Sequence, residues 1–123
     1  MNNTQQRAVV LFAHGSRDPQ WHQPIEAVAR SMALSQPGLP VRCAYLELST
    51  PDLATACQEL IDSGCREVSV VPLFLGVGRH AREDLPLLVE QLRARHPAVT
   101  FTLKPAVGED PRLVALLAHI AAE

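Results

Sequence analysis

The chain has 123 residues with a formal net charge of −2; 47% of them are hydrophobic and 20% charged. That is one domain's worth of sequence with apolar content for one core, which excludes a disordered protein and leaves little surface for wrapping a large ligand. The faintly acidic balance argues against a general nucleic-acid binder, which needs a basic face, and no apolar run approaches the roughly 20 residues of a membrane span.

A single domain is expected over residues 1–123, with residues 1–6 a loose, polar N-terminal tail. No positively charged and then apolar leader is visible, so the cytoplasm is the expected compartment. Ala8–Ala13 reads A-V-V-L-F-A, the continuous apolar run of a strand buried on both faces. Ile25, Val28, Ala29, Met32 and Ala33 then follow the i, i+3, i+4, i+7 template of an amphipathic helix. Val41–Leu46 alternates, as an edge strand does. A second helix carries Leu53, Ala56, Cys57, Leu60 and Ile61, with Thr50-Pro51 read as its N-cap and first residue and Gly64 at its C′ position.

Val68–Leu75 is a second central strand, whose pairing should end or bulge at Pro72 because proline donates nothing to the ladder. The third helix uses Leu85, Leu88, Val89 and Leu92, with Glu83 and Asp84 expected in its first turn, where acids favour the helix dipole, and Pro97 just past its end. Val99–Leu103 is another edge strand, and Asp110-Pro111 opens a last helix bearing Leu113, Leu116, Leu117, Ile120 and Ala121. The order β-α-β-α-β-α-β-α predicts an α/β fold, a three-layer flavodoxin-like half-sheet of four parallel strands in order 2-1-3-4 with helices on both faces. Its topological switch point, where ligands bind, lies at the C-terminal ends of strands one and three. The cysteines, Cys43, Cys57 and Cys65, are odd in number and lack C-x-x-C spacing, so they read as small buried hydrophobes.

Reactive side chains fall at that switch point. His14 follows strand one, Glu47 follows strand two and His80 follows strand three after Gly76-Val77-Gly78. Strands lie about 4.8 Å apart, so two imidazoles and a carboxylate can converge above one edge. Each alone reads equally well as a loop residue; the convergence is the signal. Neutral imidazole ligates first-row metals and suits proton transfer near neutrality. Arg17, Arg79 and Arg82 share the edge and favour a ligand rich in carboxylates. Gly76 and Gly78 either satisfy a flexible loop or let a flat ligand approach the backbone. Trp21 either closes the core or offers a flat face, while His96 and His119 sit near helix C-termini as structural or solvated residues. There is no G-x-S-x-G elbow and no P-loop. The His14-Gly15 pair lacks the arginine of histidine phosphatases, with Ala13 in its place.

Leu11–Asp18 (L-F-A-H-G-S-R-D) and Pro72–Pro86 (P-L-F-L-G-V-G-R-H-A-R-E-D-L-P) resemble the two signatures of the CbiX-type sirohydrochlorin chelatases, and Tyr45–Leu48 with Pro51 resembles their glutamate-bearing segment. The resemblance implies ATP-independent insertion of Co²⁺ or Fe²⁺ into sirohydrochlorin, for cobalamin or sirohaem synthesis. It implies His14 and His80 as metal-binding, catalytic histidines, and Glu47 as the acidic residue beside them, positioning a histidine or relaying a proton. Gly15, Ser16 and Arg17 on one loop, with Val77, Gly78, Arg79 and Arg82 on the other, are then expected to meet the substrate. No tightly bound cofactor is implied, the divalent metal being a substrate. The chain resembles the short form that works as a homodimer, and a single sheet edge is too small to shield a broad macrocycle, so a second copy is the expected partner. No nucleic acid or membrane partner is expected. The competing readings are a non-catalytic metal or tetrapyrrole carrier and a flavodoxin-like nucleotide-binding module with phosphate at the His14–Arg17 turn.

Overall fold

The structure, a computed structural model, describes residues 6–123; the expected N-terminal tail lies outside the described residues except for Gln6. The Gln6 carbonyl accepts from the Arg66 and Glu67 amides at 3.0 and 3.3 Å. The strands are β1 (Arg7–Ala13), β2 (Val41–Tyr45), β3 (Glu67–Pro72) and β4 (Thr100–Leu103); the helices are α1 (Gln23–Ser35), α2 (Leu53–Asp62), α3 (Arg79–Arg95) and α4 (Pro111–Ala121). The sheet is parallel throughout in the order β2-β1-β3-β4, as the apolar runs predicted. β1 pairs with both neighbours, and every residue from Ala8 to Ala13 is buried. Ala8, Val10 and Phe12 face the larger core with α2 and α3, among them Leu60, Val68, Val70, Leu85 and Val89. Val9, Leu11 and Ala13 face a smaller core with Ile25 of α1 and Tyr45.

Several boundaries differ from the sequence reading, each for a local reason. β3 does stop at Pro72, as the proline predicts; what differs is that Leu73–Leu75 of the apolar run lie beyond the strand, the chain leaving the ladder after the Leu73 amide donates to the Phe12 carbonyl at 2.8 Å. Thr50-Pro51 does not open α2. That peptide bond is cis, and Asp52 is the N-cap, accepting from the Thr55 amide at 2.8 Å. α3 begins at Arg79, so Glu83 and Asp84 lie in its second turn and the first turn carries no acid. Asp110 does cap α4 with Pro111 behind it, accepting from the Arg112 amide at 2.8 Å. Gly64, at φ +104°, closes α2 with paired bonds from the Gly64 and Cys65 amides to the Ile61 and Leu60 carbonyls, the double bond of a left-handed helix terminus.

The last helix departs most. None of its residues is buried, and Val114, Leu116, Leu117 and Ile120 are 40–55% exposed. Periodicity predicts that a face seeks apolar contact without saying what supplies it. Between α4 and α1 lies an open groove of about 760 Å³ lined by Trp21, Ile25, Val28, Leu73, Leu113 and Leu116. Trp21, 37% exposed, therefore stands at the groove's rim and does not seal the core. Among the described residues no helix is long and apolar enough to cross a membrane.

Two predictions follow from packing and capping. Leu60→Ala, at a fully buried position, should cost about 2–5 kcal/mol in urea unfolding, whereas Leu116→Ser should change the stability of the dilute monomer by no more than about 0.5 kcal/mol. The Thr55 side chain and amide hold the Asp52 carboxyl below its ordinary range, and Arg112 draws Asp110 down to about 2. Carboxyls lowered in the folded state contribute stability above their unfolded pKa, and that contribution is lost as pH falls through the folded one. Thermal melts should therefore drop between pH 6 and about pH 2, and Asp52→Ala should flatten part of that drop.

Candidate functional site

All four strands are parallel, so their C-terminal ends open on one edge. His14 leaves β1 there, Glu47 stands two residues beyond β2, and the loop after β3 runs through Phe74 and Gly76 to Gly78, the N-cap of α3. Pairing of the first two strands continues past their ends: the Leu46 amide donates to the Ala13 carbonyl at 2.8 Å and the Glu47 amide to the His14 carbonyl at 2.9 Å. The glutamate and the first histidine are thus neighbours in a continued ladder. Both side chains are exposed.

The His14 ring stacks on Phe74, with centroids 4.2 Å apart and planes 25° from parallel. Phe74 is only 2% exposed and packs in the larger core, so the imidazole rests one face on the interior while its nitrogens stay at the surface. Phe74 escaped the sequence reading, although it lies inside the second motif; only the tertiary contact shows its role. His80 is the second residue of α3 and is exposed. Arg17, Arg79 and Arg82 are exposed at the same edge, with Arg79 3.6 Å from Glu83 in a surface pair that adds little stability. Among the described residues no three His, Cys, Asp or Glu side chains form a group able to hold a metal ion.

The glycines divide by role. Gly15 sits at φ +112°, and a Cβ there would lie 1.7 Å from the Glu47 carbonyl oxygen, so the close approach of the two loops requires it. Ser16, half-buried, continues the same turn. A Cβ on Gly76 or Gly78 would meet no atom of this chain within 4 Å, which leaves backbone open to a body from outside. Val77 between them is half-buried against the larger core. The apolar side chains that do project at this edge are Leu48, 54% exposed with φ +64°, and Leu75, 68% exposed. The sequence placed Leu75 at the end of a buried strand and Leu48 at the end of the glutamate-bearing segment; the exposure of both at this edge appears only in the structure.

A second set of contacts ties the loops together. The Ser49 hydroxyl donates to the Ser16 carbonyl at 2.7 Å and accepts from the Ser16 amide at 3.0 Å. His22 Nε2 lies 2.8 Å from the same oxygen, and its ring stacks on Tyr45 at 4.7 Å. The Tyr45 hydroxyl is pushed up from its ordinary pKa, chiefly by burial. Burial likewise pushes the Cys57 thiol up to about 12, which makes it inert, and all three cysteines are free. Gly15→Ala should lower stability by on the order of 2–4 kcal/mol, read by chemical unfolding, and Gly78→Ala by no more than about 1 kcal/mol.

Comparison with known proteins bears on the same residues. The sequence model of the CbiX family matches residues 8–123. A sirohydrochlorin ferrochelatase of Bacillus subtilis is 27% identical over 114 residues, covering 92% of this chain and 43% of that protein. A sirohydrochlorin cobaltochelatase of Methanopyrus kandleri is 34% identical over 82 residues, covering 67% of this chain and 57% of that protein. The chain thus spans about half the length of these curated relatives. A solved structure named as a cobalamin (vitamin B12) biosynthesis CbiX protein, from Marinobacter aquaeolei, superposes with a TM-score of 0.82 at 35% identity, covering 94% of each chain. The four-stranded order, a histidine after β1 and another opening α3 at the same edge, and a match running from the first strand to the last residue have one common account: the chain belongs to the CbiX family.

Proposed function

We propose that the protein inserts a divalent metal, Co²⁺ or Fe²⁺, into sirohydrochlorin without ATP. The observation that carries this reading is the edge itself: in a chain of the CbiX family, His14 and Glu47 leave adjacent strands in a continued ladder while His80 opens α3 beyond the neighbouring one. The free-base macrocycle gives up two pyrrole protons as the M²⁺ ion enters, so charge balances with two protons released. A site for this reaction needs ligands that bind the ion and let it go. Two neutral imidazoles leave positions for water and for pyrrole nitrogens, where a thiolate cage would hold the ion too firmly. His14 and His80 present the metal and accept protons; Glu47 holds a histidine in orientation or passes a proton to solvent. Arg17, Arg79 and Arg82 meet the substrate's carboxylates, as does the N-terminus of α3, which carries no side-chain cap. The bare backbone at Gly76 and Gly78 gives the ring a close approach, with Gly15 and Ser16 forming the opposite lip and Val77 backing the loop.

The partner in this reading is a second copy of the chain. Support comes from α4, whose apolar residues find no cover within the chain, and from the groove beside it. The one arginine of α4, Arg112, is met by Asp110 at 2.7 Å, so two like faces can meet without opposing bare guanidinium charges. Three free thiols accord with a reducing compartment, hence the cytoplasm.

The test is the loss of the free sirohydrochlorin absorbance spectrum with Co²⁺ and with Fe²⁺, against the rate without protein. Acceleration with either metal is expected; stoichiometric binding without turnover would make the protein a carrier. His14→Ala and His80→Ala should each lower the rate by about 100-fold or more while leaving the far-ultraviolet spectrum unchanged. The rate should fall on acidification, because a protonated imidazole has no lone pair for the metal. Leu116→Glu with Ile120→Glu should halve the mass seen by sedimentation and reduce turnover, and an unchanged dimer would remove α4 from the interface.

A further inference from the structure

The Ser49 hydroxyl is used to its full capacity. It carries one proton, and a carbonyl can only accept, so that proton goes to the Ser16 carbonyl at 2.7 Å. One of its lone pairs takes the Ser16 amide at 3.0 Å. The remaining lone pair faces His22 Nε2 at 2.8 Å, so Nε2 must carry a hydrogen and donate it. The tautomer is thereby fixed by the count of protons. The imidazole that does this is half-buried and lies flat on Tyr45, the last residue of β2 and itself only 4% exposed. Ser16 lies two residues after His14, and Ser49 two after Glu47. The hydroxyl therefore closes a loop-to-loop clasp whose other strap is the bond from the Glu47 amide to the His14 carbonyl at 2.9 Å.

We infer that Ser49 and His22 are positioning residues: they hold the turn bearing His14 against the turn bearing Glu47, and so set the separation of the metal-presenting imidazole from its carboxylate. This rests on the chelatase reading of the edge. Neither residue need touch metal or macrocycle. The turns the clasp joins take left-handed backbone at two points: Gly15 at φ +112°, which glycine adopts freely, and Leu48 at φ +64°, where a side-chain-bearing residue is strained. The clasp spans these two points.

The experiment compares Ser49→Ala, Ser49→Thr and His22→Phe with the wild-type full chain. Ser49→Ala removes all three hydrogen bonds, Ser49→Thr keeps the hydroxyl, and His22→Phe keeps a ring on Tyr45 without the donor. With saturating Co²⁺ and varied sirohydrochlorin, Ser49→Ala should lower kcat by about tenfold or more while KM for the macrocycle moves by no more than about twofold. Ser49→Thr should restore at least half the rate, and His22→Phe should fall between. Co²⁺ titration without any macrocycle should show weaker binding in Ser49→Ala, and exchange of the Ser16 amide with solvent should quicken. Unchanged kcat in Ser49→Ala, or a uniform loss in which Ser49→Thr fares no better, overturns the proposal. A wild type without turnover would instead remove the chelatase reading, and the clasp is then judged by Ser16 exchange alone: no change between wild type and Ser49→Ala overturns it.

Discussion

Parallel pairing of β1 with neighbours on both sides is the constraint on which the rest of the molecule depends. A central strand must be apolar on both faces, and Ala8–Ala13 meets that requirement with no polar interruption. Because β2 and β3 run in the same direction as β1, their C-terminal ends share an edge with it, and right-handed crossovers put α1 on one face and α2 and α3 on the other. Everything with chemical capacity at that edge is then a matter of which residue happens to follow each strand. His14 and Glu47 owe their proximity to strand register, which the two amides that continue the ladder past Ala13 and Tyr45 extend to these residues.

The core and the edge are not separate compartments. Phe74 belongs to both, packed inside against Phe12 with centroids 6.4 Å apart and stacked outside on His14. The imidazole is exposed yet has one preferred plane, fixed by a ring that is itself immobilised in close-packed surroundings. On the other flank Tyr45 does the same for His22. Tyr45 at the end of β2 and Phe74 two residues beyond β3 thus each serve as a floor for a histidine, and the loops above can be irregular without being loose.

Strand order was legible because it depends on hydrophobic continuity, which one chain segment displays by itself. Ala8–Ala13 and Val68–Pro72 show it; Val41–Tyr45 and Thr100–Leu103 lack it and take the margins. Helix starts were less legible. Thr50-Pro51-Asp52 contains two plausible caps, and composition does not choose between them; a bond from the Thr55 amide to Asp52 does. Topology alone puts His14, Glu47 and His80 after strands that end at one edge, but among the described residues their side chains do not close into a group able to hold a metal ion. The Ser16–Ser49–His22 clasp was not legible, because its partners are 27 and 33 residues apart and serine is common in loops. The amphipathic period of α4 was legible as a pattern, but a pattern does not say what covers the face, and Val114, Leu116, Leu117 and Ile120 stay 40–55% exposed.

Gly108 gives the outer helix a mechanical connection to the edge. Its amide donates to the Phe74 carbonyl at 2.9 Å, and a Cβ there would stand 1.7 Å from the Leu75 carbonyl oxygen, so the segment leading into α4 lies directly on the loop that continues to Gly76 and Gly78. Few other contacts restrain α4, which makes this junction its main anchor. A force applied to the helix reaches the loop of bare glycines before it reaches the sheet. A body resting on α4 would therefore act on a lever whose short arm is the loop carrying Gly76 and Gly78.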